Sequence, residues 1–386
     1  MNGFSITRRI IVAGGAALAL GACSIIPKSA DPGRTSQPTP EPTPSADVLP
    51  TDEARHRVAL LVPLSGDNGA VGQSIANATT MALLDTEAEN LRITTYDTAR
   101  GPQDAARRAI ADGNRLILGP LLGSNVVSVR AEARAADVPI VSFSNDNSVA
   151  GENVFVMGNI PEQSIWRSMG YARQRGDRDY AVLAPDGEYG DRAEAAVRAF
   201  VADNGGRLVA VERYSRGNTS IVSAAQRLRT RGGFDAVVVA DGGRLSVQAA
   251  SELKPGGRGD MQIIGTELWS GESSVIRASA LSGAIFSAVS DQRYRRFVDS
   301  YEARFGSQPY RISTLGYDAV LLTLRIARDW RDGRDFPARE LLSDEGFIGL
   351  DGAFRFERDG VVERAMEVRE VRSGEVVTVD AAPARF

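Results

Sequence analysis

From Arg57 onward the chain alternates short apolar runs with segments of helical period. This alternation limits the fold more than any other feature of the sequence. Val58-Ala59-Leu60-Leu61-Val62 is an apolar strand, followed by the loop Pro63-Leu64-Ser65-Gly66-Asp67-Asn68-Gly69. Val71, Ile75, Ala78 and Ala82 then fall on one face of a helix. Residues 91–96 predict the next strand and 104–112 the next helix. Residues 116–118 lead into Gly119-Pro120, and 124–136 form a helix before the run 138–143. The rhythm restarts at 180–184 and continues through 208–214, 236–239 and 262–265. Strands this short and apolar, separated by helices, belong to parallel sheets covered on both faces. The fold class is α/β, with two such units in series. Residues 353–356, the pair Asp359-Gly360 and residues 365–371 read as antiparallel strands with a turn, a short C-terminal element.

The 386 residues, 43% of them apolar, suffice for two separate cores. One cysteine permits no internal disulfide or thiol metal cluster, and a single histidine, His56, excludes a multi-histidine zinc site. No metal or cofactor is expected. The chain has 45 Lys plus Arg against 49 Asp plus Glu, with only Lys28 and Lys254 as lysines, and its arginines are scattered. Nothing here recommends a nucleic-acid partner. No G-x-G-x-x-G follows Val62 and no phosphate-loop motif occurs, which argues against a nucleotide site. No nucleophile–base pair stands out, so a non-enzyme is expected. Asp186, Glu188 and Asp191 precede a helix, where acids favour the dipole without doing chemistry. Arg258-Gly259-Asp260 sits in a glycine-rich stretch and reads as a polar loop.

The N-terminus carries Arg8 and Arg9, then an apolar run over 10–20, then Leu20-Gly21-Ala22-Cys23. That run is too short to cross a ~30 Å hydrocarbon layer as a helix and fits a secretory signal. Leu20-Gly21-Ala22-Cys23 resembles the lipobox of bacterial lipoproteins. The resemblance implies that 1–22 is a signal peptide and that Cys23 becomes the first residue and carries the lipid. Thr7-Arg8-Arg9 is similar to a twin-arginine signal, leaving both export routes open. Ser24 resembles the residue found there in lipoproteins sorted to the outer membrane, which implies a periplasmic protein on the inner leaflet of that membrane, with the inner membrane as alternative. Removal of 1–22 leaves 43 cations against 49 acids. Residues 23–56 are rich in Pro, Ser and Thr without apolar period, a tether that fully extended reaches roughly 90 Å at ~3.1 Å per residue.

Val62-Pro63-Leu64-Ser65-Gly66-Asp67, Gly119-Pro120, Val138-Pro139-Ile140-Val141-Ser142, Tyr189-Gly190 and Leu315-Gly316-Tyr317-Asp318-Ala319 together resemble the type 1 periplasmic-binding fold, as in the branched-chain amino-acid receptors. The resemblance covers nearly all of 57–386 and implies two lobes, each a parallel sheet flanked by helices, joined by three crossovers around a cleft. It places lobe one at 57–159 and 285–336, and lobe two at 160–284 and 337–386. It also implies hinge motion near Gly158-Asn159 and Val289-Ser290. One subgroup is more similar still, the penicillin-binding protein activators, lipoproteins that stimulate peptidoglycan synthases. The resemblance lies in Ser142-Phe143-Ser144-Asn145-Asp146, Val154-Phe155-Val156-Met157-Gly158, Leu183-Ala184-Pro185, Gly265-Thr266-Glu267-Leu268-Trp269 and Gly349-Leu350-Asp351-Gly352-Ala353-Phe354-Arg355-Phe356, in that order. It implies a penicillin-binding synthase as partner. The wider family implies instead the permease of an ABC importer and a small amino-acid-like solute.

For a ligand, the receptors imply hydroxyl and N–H groups on lobe-one loops and an acid in lobe two. The lobe-one candidates are Ser65, the helix start Gly123, Ser124 and Asn125, and the loop Ser144, Asn145 and Asp146. Ser124 is equally readable as a helix N-cap. Asp146 stands near where the receptors carry a threonine hydroxyl, and an acid there repels a ligand carboxylate by on the order of a few kcal/mol in a partly buried cleft. Glu267 aligns with the ammonium-binding acid, or is an exposed loop glutamate.

Overall fold

A computed structural model of the chain describes residues 55–257 and 260–386. The expected signal peptide, Cys23, nearly all of the tether, and Arg258 and Gly259 lie outside the described residues. The first sheet is built from β1 (His56–Val62), α1 (Gly69–Asp85), β2 (Leu91–Asp97), α2 (Pro102–Ala111), β3 (Ile117–Leu118), α3 (Gly123–Ala135), β4 (Ile140–Ser142) and β5 (Val154–Val156). Its strands run parallel in the order β2-β1-β3-β4-β5. All three residues of β4 and of β5 are buried, as a sheet covered on both faces requires.

The second sheet follows through α4 (Pro161–Gln174), β6 (Asp179–Pro185), α5 (Glu188–Asn204), β7 (Arg207–Tyr214), α6 (Ser220–Arg231), β8 (Ala236–Val239), α7 (Gly243–Leu253), β9 (Gln262–Ile264), α8 (Ser273–Arg277) and β10 (Ile285–Ala288). The two-residue period of its strands is visible in the cores. Tyr180, Val182 and Ala184 pack with Ile165 of α4 and Val197 of α5 on one face. Ala181 and Leu183 pack with Ile221 of α6 and Ala249 of α7 on the other.

The chain then returns to the first lobe as α9 (Tyr294–Phe305), α10 (Thr314–Ala327), β11 (Phe347–Gly349), β12 (Gly352–Phe356) and β13 (Val362–Arg364), and ends in the second as β14 (Glu367–Arg372) and β15 (Glu375–Asp380). The second sheet has the order β15-β14-β10-β9-β8-β6-β7, while β11, β12 and β13 form a small antiparallel sheet of their own.

Two expectations about the C-terminal third change here. Residues 285–336 were expected wholly in lobe one, yet β10 pairs with β9 and β14 and is a strand of the second sheet. Residues 337–386 were expected in lobe two, yet Phe347, Phe354, Phe356 and Val362 pack in the core of the first lobe, with Phe356 edge-on to Phe155 at 5.4 Å. The strands over 353–356 and 365–371 are antiparallel as expected, but they pair into different sheets rather than with one another. Their apolar residues are alike, and only the partner sheets decide the assignment.

Both lobes share one device at the first strand-to-helix turn. A Cβ on Gly72 would lie 1.7 Å from the carbonyl oxygen of Pro63, and one on Gly190 would lie 1.8 Å from that of Pro185. Only glycine admits the helix this close to the strand end, so the helix starts are drawn in against the ends of β1 and β6.

Candidate functional site

The chain crosses between lobes at 157–160, 289–293 and 365–366, after β5, β10 and β13. Beside these crossings, at the carboxyl ends of the parallel strands, lies a cleft of about 500 Å³. Crevices at this position are where α/β sheets take ligands. Leu121, Phe143 and Ile312 give it an apolar wall from lobe one, Leu268 adds one from lobe two, and Asn159 and Met366 line it from the crossings. Of the expected site residues, Asn145 and Glu267 line this cleft.

Glu267 is positioned by its own loop. Trp269 is buried under that loop, donating from Nε1 to the Asp241 carbonyl at 3.0 Å, and a Cβ on Gly265 would strike its ring at 2.3 Å. The loop therefore folds back at Gly265 and sets Glu267 at the cleft. Tyr189 lies 2.9 Å from Thr266 Oγ1 and donates to Glu267 Oε1 at 3.1 Å. Oε2 of the same carboxyl is buried without a partner. The alternative of an exposed loop glutamate does not hold, because the carboxyl is withdrawn from solvent. Burial pushes its pKa up to about 7, against the help of the Tyr189 hydrogen bond.

Across the cleft, α3 begins after Leu122, which makes no side-chain cap. Ser124 is thus inside the helix and exposed, and the N-cap reading of it is corrected. Ser144 and Asp146 are gathered at the start of α3. A Cβ on Gly123 would fall 2.9 Å from Asp146 Oδ2 and 3.2 Å from Ser144 Oγ. Asp146 Oδ1 accepts from the Ser148 amide and hydroxyl at 2.9 and 2.6 Å. Asp146 thus caps its own short turn at 147–149, and its Oδ2 beside Gly123 puts a negative charge next to the start of α3, where it disfavours a ligand anion. Ser65 is exposed and turned toward Asp97, whose carboxylate is held low chiefly by the Leu64 amide. Asn125 is half-buried on α3, and neither it, Ser124 nor Ser65 is among the cleft-lining residues.

Two features were not legible in the sequence. The first is Arg192 of α5, which grips Glu162 of α4 with Nε and Nη2, both at 2.7 Å, and reaches across to the Asn145 carbonyl at 2.8 Å. It ties lobe two to the lobe-one loop. The second is a buried charge cluster beside the crossings. Arg311 donates from Nη1 to Asp351 Oδ1 at 2.8 Å and to Thr314 Oγ1 at 3.1 Å, and its guanidinium lies 4.3 Å over the Tyr294 ring. Asp318 accepts from the amides of Leu350 and Asp351 at 2.6 and 3.3 Å. Arg364 donates to the Met157 carbonyl at 2.6 Å, on the first crossing. Arg369 donates to Asp291 at 2.5 Å and to the Val289 carbonyl at 2.7 Å, on the second. On α4, Arg167 donates to the Met366 carbonyl at 3.0 Å, on the third. Each crossing is thus bonded by an arginine. Among 43 arginines no single one carries a signal, because what distinguishes these is burial and partners.

Burial, with Asp351 adding repulsion, raises the Asp318 pKa, as burial raises that of Glu267. An acid with a raised folded pKa binds its proton where the unfolded chain has released it. Its contribution to stability is therefore present at low pH and lost as pH rises through the folded value. For Glu267 the window runs from its ordinary 4.5 to about 7. His56, whose charge is disfavoured by burial, acts in the opposite sense below its ordinary 6.5. The comparison with Glu267→Gln isolates the acid. From pH 5 to pH 8 the wild type is expected to lose on the order of 1–3 kcal/mol relative to this variant in urea unfolding. An unchanged difference across that range would show that the carboxyl is not held protonated.

Residues 56–375 match the periplasmic binding protein family. Among solved structures, a protein from Rhodospirillum rubrum described as a branched-chain amino acid ABC transporter superposes with a TM-score of 0.73 at 19% identity, covering 84% of this chain and 100% of that one. The C-domain of LpoA from Haemophilus influenzae, a regulator of PBP1A, gives 0.66 at 18% identity, covering 84% and 99%. An uncharacterised protein of Rickettsia prowazekii is 25% identical over 173 residues, 44% of this chain and 46% of its own length. The chain thus matches about half the length of that relative. At these identities the structures establish the fold, and function has to be argued from the site.

Proposed function

The chain belongs to the periplasmic binding protein family, and on that premise we propose that it is a non-enzymatic, lipid-anchored periplasmic regulator of peptidoglycan synthesis that acts by contact with a penicillin-binding synthase. The observation that carries this reading is Asp146. Its carboxylate lies against the start of α3, where a receptor for α-amino acids needs an open anion position. The Arg192 bridge to Asn145 further ties the two lobes. A protein that keeps the bilobed frame while standing an acid beside the carboxylate position is suited to being a docking body. The likeness to the LpoA C-domain, itself a regulator of PBP1A, agrees with this role. The anchor is Cys23, and the tether to residue 56 lets the lobes work away from the outer membrane's inner leaflet.

A second reading, the solute receptor of an ABC importer, is favoured by one observation. Glu267 Oε2, Asn159 Oδ1 and Arg311 Nε and Nη2 are buried without partners, on residues that line the cleft. Calorimetric titration of the twenty amino acids separates the two. The regulator reading expects no binding below millimolar concentration. Micromolar or tighter binding by any one of them, on the order of −8 kcal/mol, would replace it with the receptor reading.

A further inference from the structure

The sheet of the second lobe has two outer strands, β15 and β7, in the order β15-β14-β10-β9-β8-β6-β7. Exposed edges are ordinarily guarded by charges along the strand. β7 follows that rule. Its Arg207, Glu212 and Arg213 hold ion pairs with Asp179, Arg227 and Glu194. β15 is different. Between Glu375 and Asp380 it reads Val376-Val377-Thr378-Val379, β-branched throughout and without a charge, and Thr378 is exposed.

The ladder fixes which backbone groups this edge presents. Val371 of β14 faces inward, its amide donating to the Ala284 carbonyl and its carbonyl accepting from Gly283, both at 2.8 Å. Val376 stands opposite Val371, and Thr378 stands opposite Arg369. Backbone direction alternates along an antiparallel pair, so Val376 and Thr378 turn their own N–H and C=O away from β14. No strand lies beyond them, and no hydrogen bond among the described residues reaches these groups. Beside them is a hollow of about 440 Å³, lined by Ile276, Phe286, Val376 and Thr378 and by Gln292 and Arg295 from the second crossing and α9.

Backbone donors and acceptors repeated at i and i+2 along one edge suit another extended backbone, and a hollow beside them takes its alternate side chains. The strand ends add charge. Glu375 is exposed and in no ion pair among the described residues, and Asp380, with Arg167 as its partner, is 41% exposed. Antiparallel pairing of two copies would bring each Glu375 toward the other's Asp380, which disfavours a second copy of this chain. A segment with an uncharged middle and basic ends is complementary. We propose that the β15 edge is the docking surface for the synthase, which adds an extended, basic-flanked segment of its own to this sheet. This rests on reading the chain as a regulator that acts by contact with a penicillin-binding synthase, and it deepens that reading by naming the face and the mode of contact.

The test uses the lipidated full chain as bait on detergent-solubilised membranes, with retained synthase read by a fluorescent β-lactam and the retained complex then followed by hydrogen exchange. Thr378→Pro removes one outward N–H and no bond to β14, and proline is tolerated at an edge position whose N–H faces solvent. It is expected to keep the fold and to retain about 10-fold less synthase. Thr378→Val keeps the N–H and is expected to retain as much as the wild type. Glu375→Lys is expected to retain about 3-fold less at low salt. In the wild-type complex, amide exchange over 375–380 is expected to slow about 10-fold or more against the free chain. If Thr378→Pro does not fold, that protection decides in its place. Undiminished retention by folded Thr378→Pro or by Glu375→Lys, a loss as large in Thr378→Val as in Thr378→Pro, or unchanged exchange over 375–380 overturns the proposal. Any of these with the synthase still on the wild-type bait removes only the β15 edge. No synthase on the wild-type bait removes the regulator reading itself.

Discussion

Asp351→Ala is expected to destabilise the folded chain by about 3–5 kcal/mol in urea unfolding, the cost of breaking a buried ion pair from one side. Asp351 is fully buried in the turn between β11 and β12, where it accepts from Arg311 Nη1 at 2.8 Å and from Thr314 Oγ1 at 2.9 Å. Its charge also favours the cation of Arg364, which burial opposes and whose Nε and Nη1 already lack partners. Removing the carboxylate leaves two buried guanidinium groups, Arg311 with Asp291 Oδ1 3.6 Å from its Nη2 and Arg364 with Asp318 still favouring its cation. Relief of the repulsion on Asp318 offsets part of the loss, since that acid is raised in part by Asp351. Asp351→Asn keeps the shape and an acceptor and is expected to cost less than the alanine. The same turn requires glycine at 349, where a Cβ would meet the Asp318 carboxyl at 2.4 Å. A loss below about 1 kcal/mol for the alanine would mean that solvent, rather than Asp351, satisfies Arg311.

Cys23→Ser is expected to move the protein from the membrane fraction to the soluble periplasm almost completely. The apolar run 10–20 is too short to span a bilayer. Among the described residues no helix is long and apolar enough to cross a membrane. With 43 cations against 49 acids after residue 22, the remainder of the chain has no net positive charge to hold it on anionic lipid. On the proposed reading the lipid on Cys23 is the anchor, and a diacylglyceryl group would supply the two chains that stable attachment needs. A Cys23→Ser variant that still sediments with membranes, and resists high-salt wash, would remove Cys23 from that role.

Much of the fold was legible because it rests on local signals. The apolar run 58–62, the period of Val71, Ile75, Ala78 and Ala82, and the restart at residue 180 each announce their element without reference to distant chain. Assignment of β10 and of the sheet β11-β12-β13 was not legible. Ile285 and Phe347 are equally apolar, and which lobe they join depends on pairing with strands far away in sequence. The same division holds in the cleft. Glu267 and Asn145 were reachable from the order of motifs around them. Arg311 and Arg192 were not, since an arginine's charge is visible in a sequence while the carboxylates it faces are not.

The most direct measurement of the regulator reading uses the lipidated full chain as bait on detergent-solubilised membranes, with retained penicillin-binding proteins revealed by a fluorescent β-lactam. The expected result is a labelled synthase retained by the wild-type chain and by Cys23→Ser when both are presented in detergent, because contact belongs to the lobes and the lipid only places them. No labelled protein on the bait, with an ABC permease retained in its place, would contradict it.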